Sequence, residues 1–164
     1  EKIDGTGSAL HLTREIVGNE TFFMSFGDII TSIENYPRLI EDYRKQPCAA
    51  LISLVEVEDP YRGAAVYVDE DYRITQIIEK PEKGTSTTRW NNAGIFVFDP
   101  VIFDYTANLT LSPRGEYELP EAFQNMLEDG LEVRGFPLKG LWGDIGTPED
   151  VEQMTALLES NPNG

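Results

Sequence analysis

The sequence predicts an α/β fold, a sheet of largely parallel strands with flanking helices and a hairpin lying over it. Three patterns carry that expectation. Apolar runs stopped by glycine or proline alternate with stretches of helical periodicity, two β-rich runs flank a polar turn, and one run is aromatic and β-branched throughout. In chain order, residues 22–26 are apolar and stop at Gly27-Asp28, a buried strand that delivers a carboxylate at its end. After Pro37, Leu39, Ile40 and Tyr43 recur at helical spacing until Pro47 ends the helix, and residues 49–57 form a second apolar strand. Strand, helix, strand implies a parallel sheet with a crossover helix, where ligands collect beyond the carboxyl ends of the strands.

Residues 64–68 and 73–79 flank Asp69-Glu70-Asp71 and predict the hairpin, which ends in Glu79-Lys80-Pro81. A polar loop over 82–89 precedes Ile95-Phe96-Val97-Phe98, a central strand with Asn92-Ala93-Gly94 at its mouth. Asp99-Pro100 opens a short helix, and residues 119–127 place Leu119, Ala122, Phe123, Met126 and Leu127 on one face of an amphipathic helix closed by Gly130. Leu131, Val133 and Phe136 suggest a further strand. Thr147-Pro148 starts a last helix that runs to about Ser160, with residues 161–164 as a frayed tail. No repeat and no long linker divides the chain, so residues 1–164 read as a single domain, and an opening at Glu1 that runs straight into a turn-like Asp4-Gly5-Thr6-Gly7 suggests a partial one.

Composition excludes several classes of function. The chain has 164 residues with 29 acidic and 13 basic side chains, a formal charge of −16, and 40% hydrophobic residues. That is enough apolar material for a core. The charge repels a phosphate backbone and no basic stripe offsets it, so nucleic acid is not an expected partner. No apolar run approaches the roughly 20 residues that span a bilayer, so no membrane partner is expected. One cysteine, Cys48, and one histidine, His11, cannot build an internal disulfide or a Cys/His zinc site, and the cysteine usage fits a reducing cytoplasm. His11 reads as a surface residue. A Ser–His–Asp arrangement would have to use it, and no Gly-x-Ser-x-Gly turn is present.

Two aspartates stand out by context. Asp28 follows a buried strand, and Asp144 lies in Trp142-Gly143-Asp144-Ile145-Gly146, where glycines clear space. Two carboxylates from separate strand ends suit Mg²⁺, which takes hard oxygen ligands and shares its shell with waters and substrate phosphates. Either aspartate could equally be a turn or cap residue. Lys80, between a strand and a proline, is expected on extended backbone that aims its charge in one direction, and Glu79 could accept sugar hydroxyls. Gly5-Thr6-Gly7 could approach a ring or a phosphate or be a plain turn. Gly63 and Gly94 could admit a ligand or mark a bulge. Glu116 stands at a helix entrance and could also accept a hydroxyl.

Taken in order, Gly5-Thr6-Gly7-Ser8-Ala9-Leu10, Gly27-Asp28, Gly63 after Asp59-Pro60, Glu79-Lys80-Pro81, Asn92-Ala93-Gly94-Ile95-Phe96 and Trp142-Gly143-Asp144-Ile145-Gly146-Thr147-Pro148 resemble the sugar-phosphate nucleotidyltransferase family. The resemblance implies a Rossmann-like mixed, mostly parallel sheet. It also implies an activity: a nucleoside triphosphate and a sugar 1-phosphate give a nucleotide-sugar and pyrophosphate. By the same resemblance Asp28 and Asp144 hold Mg²⁺ and Lys80 contacts the sugar phosphate. Gly63, Glu79, Asn92 and Gly94 line the sugar pocket with Glu116 nearby, and Gly5 and Thr6 lie by the base.

Two departures qualify the resemblance. The family's opening strand and its glycine-rich, arginine-containing phosphate loop do not occur in this sequence, and Ile29 follows Asp28 where many relatives place a polar residue. The chain alone is therefore expected to be catalytically inactive, because that loop organises the triphosphate. A non-catalytic module that binds sugar phosphate or packs against a partner subunit is the alternative. A sheet edge exposed where the first strand would lie is expected to drive homodimerisation. A nucleotide-sugar-dependent glycosyltransferase is disfavoured, since the one Asp-x-Asp sequence, Asp69-Glu70-Asp71, falls in a hairpin turn.

Overall fold

A computed structural model describes residues 4–160; the tail expected at 161–164 lies outside them. The elements are α1 (Thr6–His11), α2 (Arg14–Val17), β1 (Phe22–Ser25), β2 (Ile29–Thr31), α3 (Asn35–Lys45), β3 (Ala50–Glu56), β4 (Ala64–Val68), β5 (Ile74–Glu79), β6 (Trp90–Phe98), α4 (Ile102–Thr106), α5 (Leu119–Glu128), β7 (Val133–Pro137), β8 (Trp142–Asp144) and α6 (Pro148–Ser160), with a 3₁₀ turn at Pro60–Arg62. No helix among the described residues is long and apolar enough to cross a membrane.

A six-stranded sheet in the order β5-β4-β6-β3-β7, with β1 paired to β6, forms the centre. Both of its faces are covered. Phe96 and Phe98 point to one side, where α1, α4 and α5 bring Leu10, Phe103, Leu119 and Phe123. Ile95 and Val97 point to the other, where α3 brings Leu39 and Tyr43. Burial on both sides explains why residues 50–52 of β3 and 95–98 of β6 are apolar without polar alternation. Phe22 stacks on Phe103 with ring centroids 5.3 Å apart, and Phe98 and Phe123 meet at 5.9 Å. Each fully buried ring contributes about 1.5–3 kcal/mol.

The α/β class is as expected, but the pairing differs in two respects. Strands β1, β3, β4 and β7 run one way and β5 and β6 the other, yet the adjacent parallel pair among the described strands is β3–β7. Strands β1 and β3 run parallel across the α3 crossover, as expected, but they are not neighbours, because β6, the longest strand, lies antiparallel between them. The hairpin β4–β5 extends the sheet edge through Ala65–Asn91 and does not lie over it. A register shift between Ile52 and Leu54 marks Ser53, whose hydroxyl accepts the Ile95 N–H at 3.0 Å and so satisfies a buried donor.

One feature of β6 positions everything that follows. Strand β3 occupies one edge of β6 from Trp90 to Phe98. On the other edge β4 pairs at Asn91 and β1 pairs from Ile95 to Phe98. Asn92, Ala93 and Gly94 therefore lie where two neighbours diverge, and a cleft opens there. The short elements β2 and β8, which periodicity did not reveal, form a separate antiparallel pair beside it.

Candidate functional site

The cleft has a volume of about 480 Å³. Its wall includes Thr6, Gly63, Glu79, Asn92, Gly94 and Asp144 from the sequence-predicted set, together with Phe26, Asp59, Arg62, Asn91, Trp142 and Asp150. Gly5, Asp28, Lys80 and Glu116 do not line it.

Strands β2 and β8 bring the two aspartates together. Ile29 pairs with Asp144, and the Ile145 N–H donates to the Asp28 carbonyl at 2.9 Å. The separation of 116 positions in sequence is closed by that ladder, reinforced where Ser32 accepts the Leu141 N–H at 2.9 Å and Asn35 accepts that of Lys139 at 3.0 Å. One Asp144 oxygen accepts the Gly146 N–H at 3.0 Å, and the Asp28 carboxylate takes no hydrogen bond among the described residues. Partial burial and then the charge of Asp28 hold the Asp144 carboxyl above its ordinary pKa. Two hard oxygen donors that repel each other make a negative site open to a divalent cation. No cluster of three or more His, Cys, Asp or Glu side chains forms a closed cage among the described residues. That donor set fits Mg²⁺, which completes its shell with water and phosphate oxygens.

Trp142 fastens the pair to the sheet, because its indole N–H donates to the Ala93 carbonyl at 3.0 Å. Gly94 is in the left-handed region at φ +79°, and its peptide is held on both sides: its N–H reaches Asn92 Oδ1 at 3.0 Å and its carbonyl accepts the Phe26 N–H at 2.9 Å. A β-carbon at Gly94 would lie 2.8 Å from Ile29 Cγ1 and 2.9 Å from Phe26 Cδ2. The left-handed φ and the close approach of the Ile29 and Phe26 side chains therefore require this glycine. At Gly63 a β-carbon would collide with the side-chain amide of Asn91.

Glu79 pairs with Ala64 across the hairpin and is half-buried at the cleft. Burial raises its pKa, although Arg114 donates to its Oε1 at 3.1 Å and partly offsets the shift. Arg114 also reaches Glu118 at 2.8 Å. Lys80 corrects the expectation of extended backbone: its φ is +43°, its N–H donates to the Gly63 carbonyl at 2.8 Å, and its side chain is exposed. The tight closure of the 3₁₀ turn against the hairpin end produces this bend. Glu116 is exposed, its carboxylate 3.9 Å from Arg114. Gly5 packs against the backbone of Tyr117, and the Thr6 hydroxyl accepts the Leu119 N–H at 3.1 Å, capping α5 from a distant part of the chain.

Other residues resolve as structural. His11 is half-buried, not on the open surface, with its ring nitrogen 2.9 Å from Thr106 Oγ1. Burial pushes the Cys48 thiol up to about 11, which makes it a poor nucleophile. Asp69 accepts the N–H groups of Asp71 and Arg73 at 2.9 Å, so the Asp-x-Asp sequence is a hydrogen-bonded turn. Thr147 and Asp150 cap α6 reciprocally, with bonds of 3.0 and 3.2 Å. Reasoning from the sequence missed Asp59, Arg62, Asn91 and Asp150 as wall residues. Asp59 and Arg62 immediately flank the quoted Gly63 segment, and Asn91 precedes Asn92, so neighbourhood to a motif was the available signal.

With this geometry in place, comparison with known proteins is decisive. The model of the nucleotidyl transferase family matches residues 1–161. The chain belongs to that family. The low-salt glycan biosynthesis nucleotidyltransferase Agl11 of Haloferax volcanii is 35% identical over 154 residues, which are 94% of this chain and 42% of that protein. The bifunctional protein GlmU of Methanocaldococcus jannaschii is 34% identical over 157 residues, 96% of this chain and 36% of the relative. The chain thus spans less than half the length of these relatives. Among solved structures, a candidate glucose-1-phosphate thymidylyltransferase from Bacillus anthracis superposes with a TM-score of 0.82 at 29% identity, over 96% of this chain and 62% of that one. By name the Haloferax relative is a nucleotidyltransferase, and the Bacillus structure is a thymidylyltransferase of glucose 1-phosphate.

Proposed function

We propose that this chain binds a sugar 1-phosphate and a divalent cation within a sugar-1-phosphate nucleotidyltransferase, which converts a nucleoside triphosphate and a sugar 1-phosphate to a nucleotide-sugar and pyrophosphate. The observation that carries this reading is the β2–β8 ladder, which sets Asp28 beside Asp144 next to a cleft walled by Gly63, Glu79, Asn92 and Gly94. Asp28 and Asp144 hold Mg²⁺ in this reading. When bound, the ion neutralises charge on the reacting phosphate oxygens. Asn92 and the second oxygen of Glu79 take sugar hydroxyls, the first oxygen being held by Arg114. Gly63 and Gly94 line the sugar pocket and make room in its wall for Asn91, Ile29 and Phe26, Lys80 approaches the phosphate from the rim, and Thr6 lies on the base side with Gly5 behind it.

In-line attack of a phosphate oxygen on the α-phosphorus needs positioning and charge neutralisation, and it needs no protein nucleophile. Calorimetry with glucose 1-phosphate and Mg²⁺ tests the reading. Binding by the unaltered chain, weakened in Asp144→Asn and in Lys80→Ala, is expected. Weak binding that is the same in all three proteins would remove the site.

A further inference from the structure

Arg62 is the one cation among the described residues that lines the cleft. It ends the 3₁₀ turn that begins at buried Pro60, and the Gly63 N–H donates to the Pro60 carbonyl at 3.2 Å, so its backbone is held at a fixed place in the wall. Among the described residues its guanidinium makes no hydrogen bond and no ion pair. Arg14, Arg89, Arg114 and Arg134, by contrast, each meet a carboxylate within 3.2 Å.

Arg62 is exposed, as is the likewise unpaired Arg44 of α3, but Arg62 stands in the wall of the cleft. Its neighbours there are acceptors. Asp59, three residues earlier in the same wall, keeps one buried oxygen without any partner and gives the other to the Gly84 N–H at 2.8 Å. The buried Asn91 Oδ1, also in the wall, is equally unpartnered. Neither acceptor takes a hydrogen bond from the Arg62 guanidinium. Arg62 and Asp144 nevertheless line the same cleft, so the guanidinium and the aspartate pair border one space.

We propose that Arg62 is a substrate-binding residue that grips the phosphate of a sugar 1-phosphate between itself and the cation held by Asp28 and Asp144. This rests on the nucleotidyltransferase reading and adds to it a phosphate contact on the turn before Gly63. A planar fork of N–H donors suits a phosphate, and the planar fork is what Lys80, outside the wall, lacks. The unpartnered acceptors on Asp59 and Asn91 repel the same phosphate, so it is directed toward Arg62 and away from the inner wall.

The test is calorimetric titration of glucose 1-phosphate with Mg²⁺, and of glucose, at two salt concentrations. The proteins are the unaltered chain, Arg62→Ala, Arg62→Lys and Arg44→Ala, the last removing an exposed arginine of α3 that is remote from the wall. Circular dichroism confirms folding of each. Arg62→Ala is expected to weaken glucose 1-phosphate by at least about tenfold, the usual loss for one charge-assisted partner, and to flatten the salt dependence. Glucose binding should not change, Arg62→Lys should lie between, and Arg44→Ala should match the unaltered chain. An Arg62→Ala protein that binds glucose 1-phosphate normally overturns the inference and leaves the function standing. Equal losses for glucose and glucose 1-phosphate, or a matching loss in Arg44→Ala, also overturn it. No binding of glucose 1-phosphate by the unaltered chain overturns both.

Discussion

Gly94→Ala probes the cleft floor most sharply, because the structure allows its cost to be worked out in two parts. An L-residue at φ +79° costs about 1–2 kcal/mol relative to glycine. The new β-carbon at 2.8 Å from Ile29 and 2.9 Å from Phe26 forces overpacking of about 1–3 kcal/mol, since Ile29 is held in β2 and Phe26 packs on Phe96 at 5.4 Å. The total is about 2–5 kcal/mol, a large share of a typical domain's 5–15 kcal/mol. Gly84→Ala is the control: φ is +78°, but its β-carbon meets nothing within 4 Å, so only the first part applies. Urea denaturation followed by tryptophan fluorescence measures both. Displacing Ile29 should also disturb its pairing with Asp144, so Mg²⁺-dependent sugar phosphate binding should fall in Gly94→Ala and hold in Gly84→Ala. Equal destabilisation by the two substitutions would refute the close-approach argument.

Three further outcomes are expected. Trp142→Phe removes the indole bond to Ala93 and should cost about 1 kcal/mol in stability while loosening β8, read as faster amide exchange at Gly143 and Asp144; unchanged exchange would show that β2 alone holds the strand. Arg114→Ala leaves Glu79 and Glu118 facing each other half-buried and should destabilise by about 1–2 kcal/mol, a loss smaller at high salt; a neutral result would count Arg114 as a surface residue. For Glu79 the folded pKa is raised, by burial above all, so the folded state holds its proton more tightly than the unfolded chain does. Its contribution to stability is present below the unfolded value and lost as pH rises through the folded one, so the stability of the unaltered chain relative to Glu79→Gln should fall across that window. A difference that grows with pH would contradict the sign.

Much of the architecture could be read from residue patterns, and what escaped did so for physical reasons. Runs such as 49–57 and 119–127 announced themselves because long buried strands and amphipathic helices carry periodic signals. The strands β2 and β8 are too short for periodicity and exist because each pairs with the other across most of the chain. Sheet order was hidden for a related reason: whether β6 slips between β1 and β3 depends on long-range packing, and no local pattern in either strand encodes it. Asp28 and Asp144 were found through their glycine neighbours, since space beside a carboxylate leaves a trace in sequence. Arg62 stands beside Gly63, but that neighbour does not tell an unpaired arginine from a paired one, which differ only in what surrounds them after folding. The bend at Lys80 likewise depends on the bond from its N–H to the Gly63 carbonyl, 17 positions earlier.

Joint grip on a divalent ion by Asp28 and Asp144 is the claim on which the functional reading stands. Titrating Mn²⁺ as a paramagnetic stand-in for Mg²⁺ measures it directly, in the presence of glucose 1-phosphate, with Asp28→Asn, Asp144→Asn and the double substitution beside the unaltered chain. Each single substitution should weaken the ion by about tenfold or more, and the double should add little, because one site is being dismantled twice. Full Mn²⁺ affinity in either single variant would contradict the account.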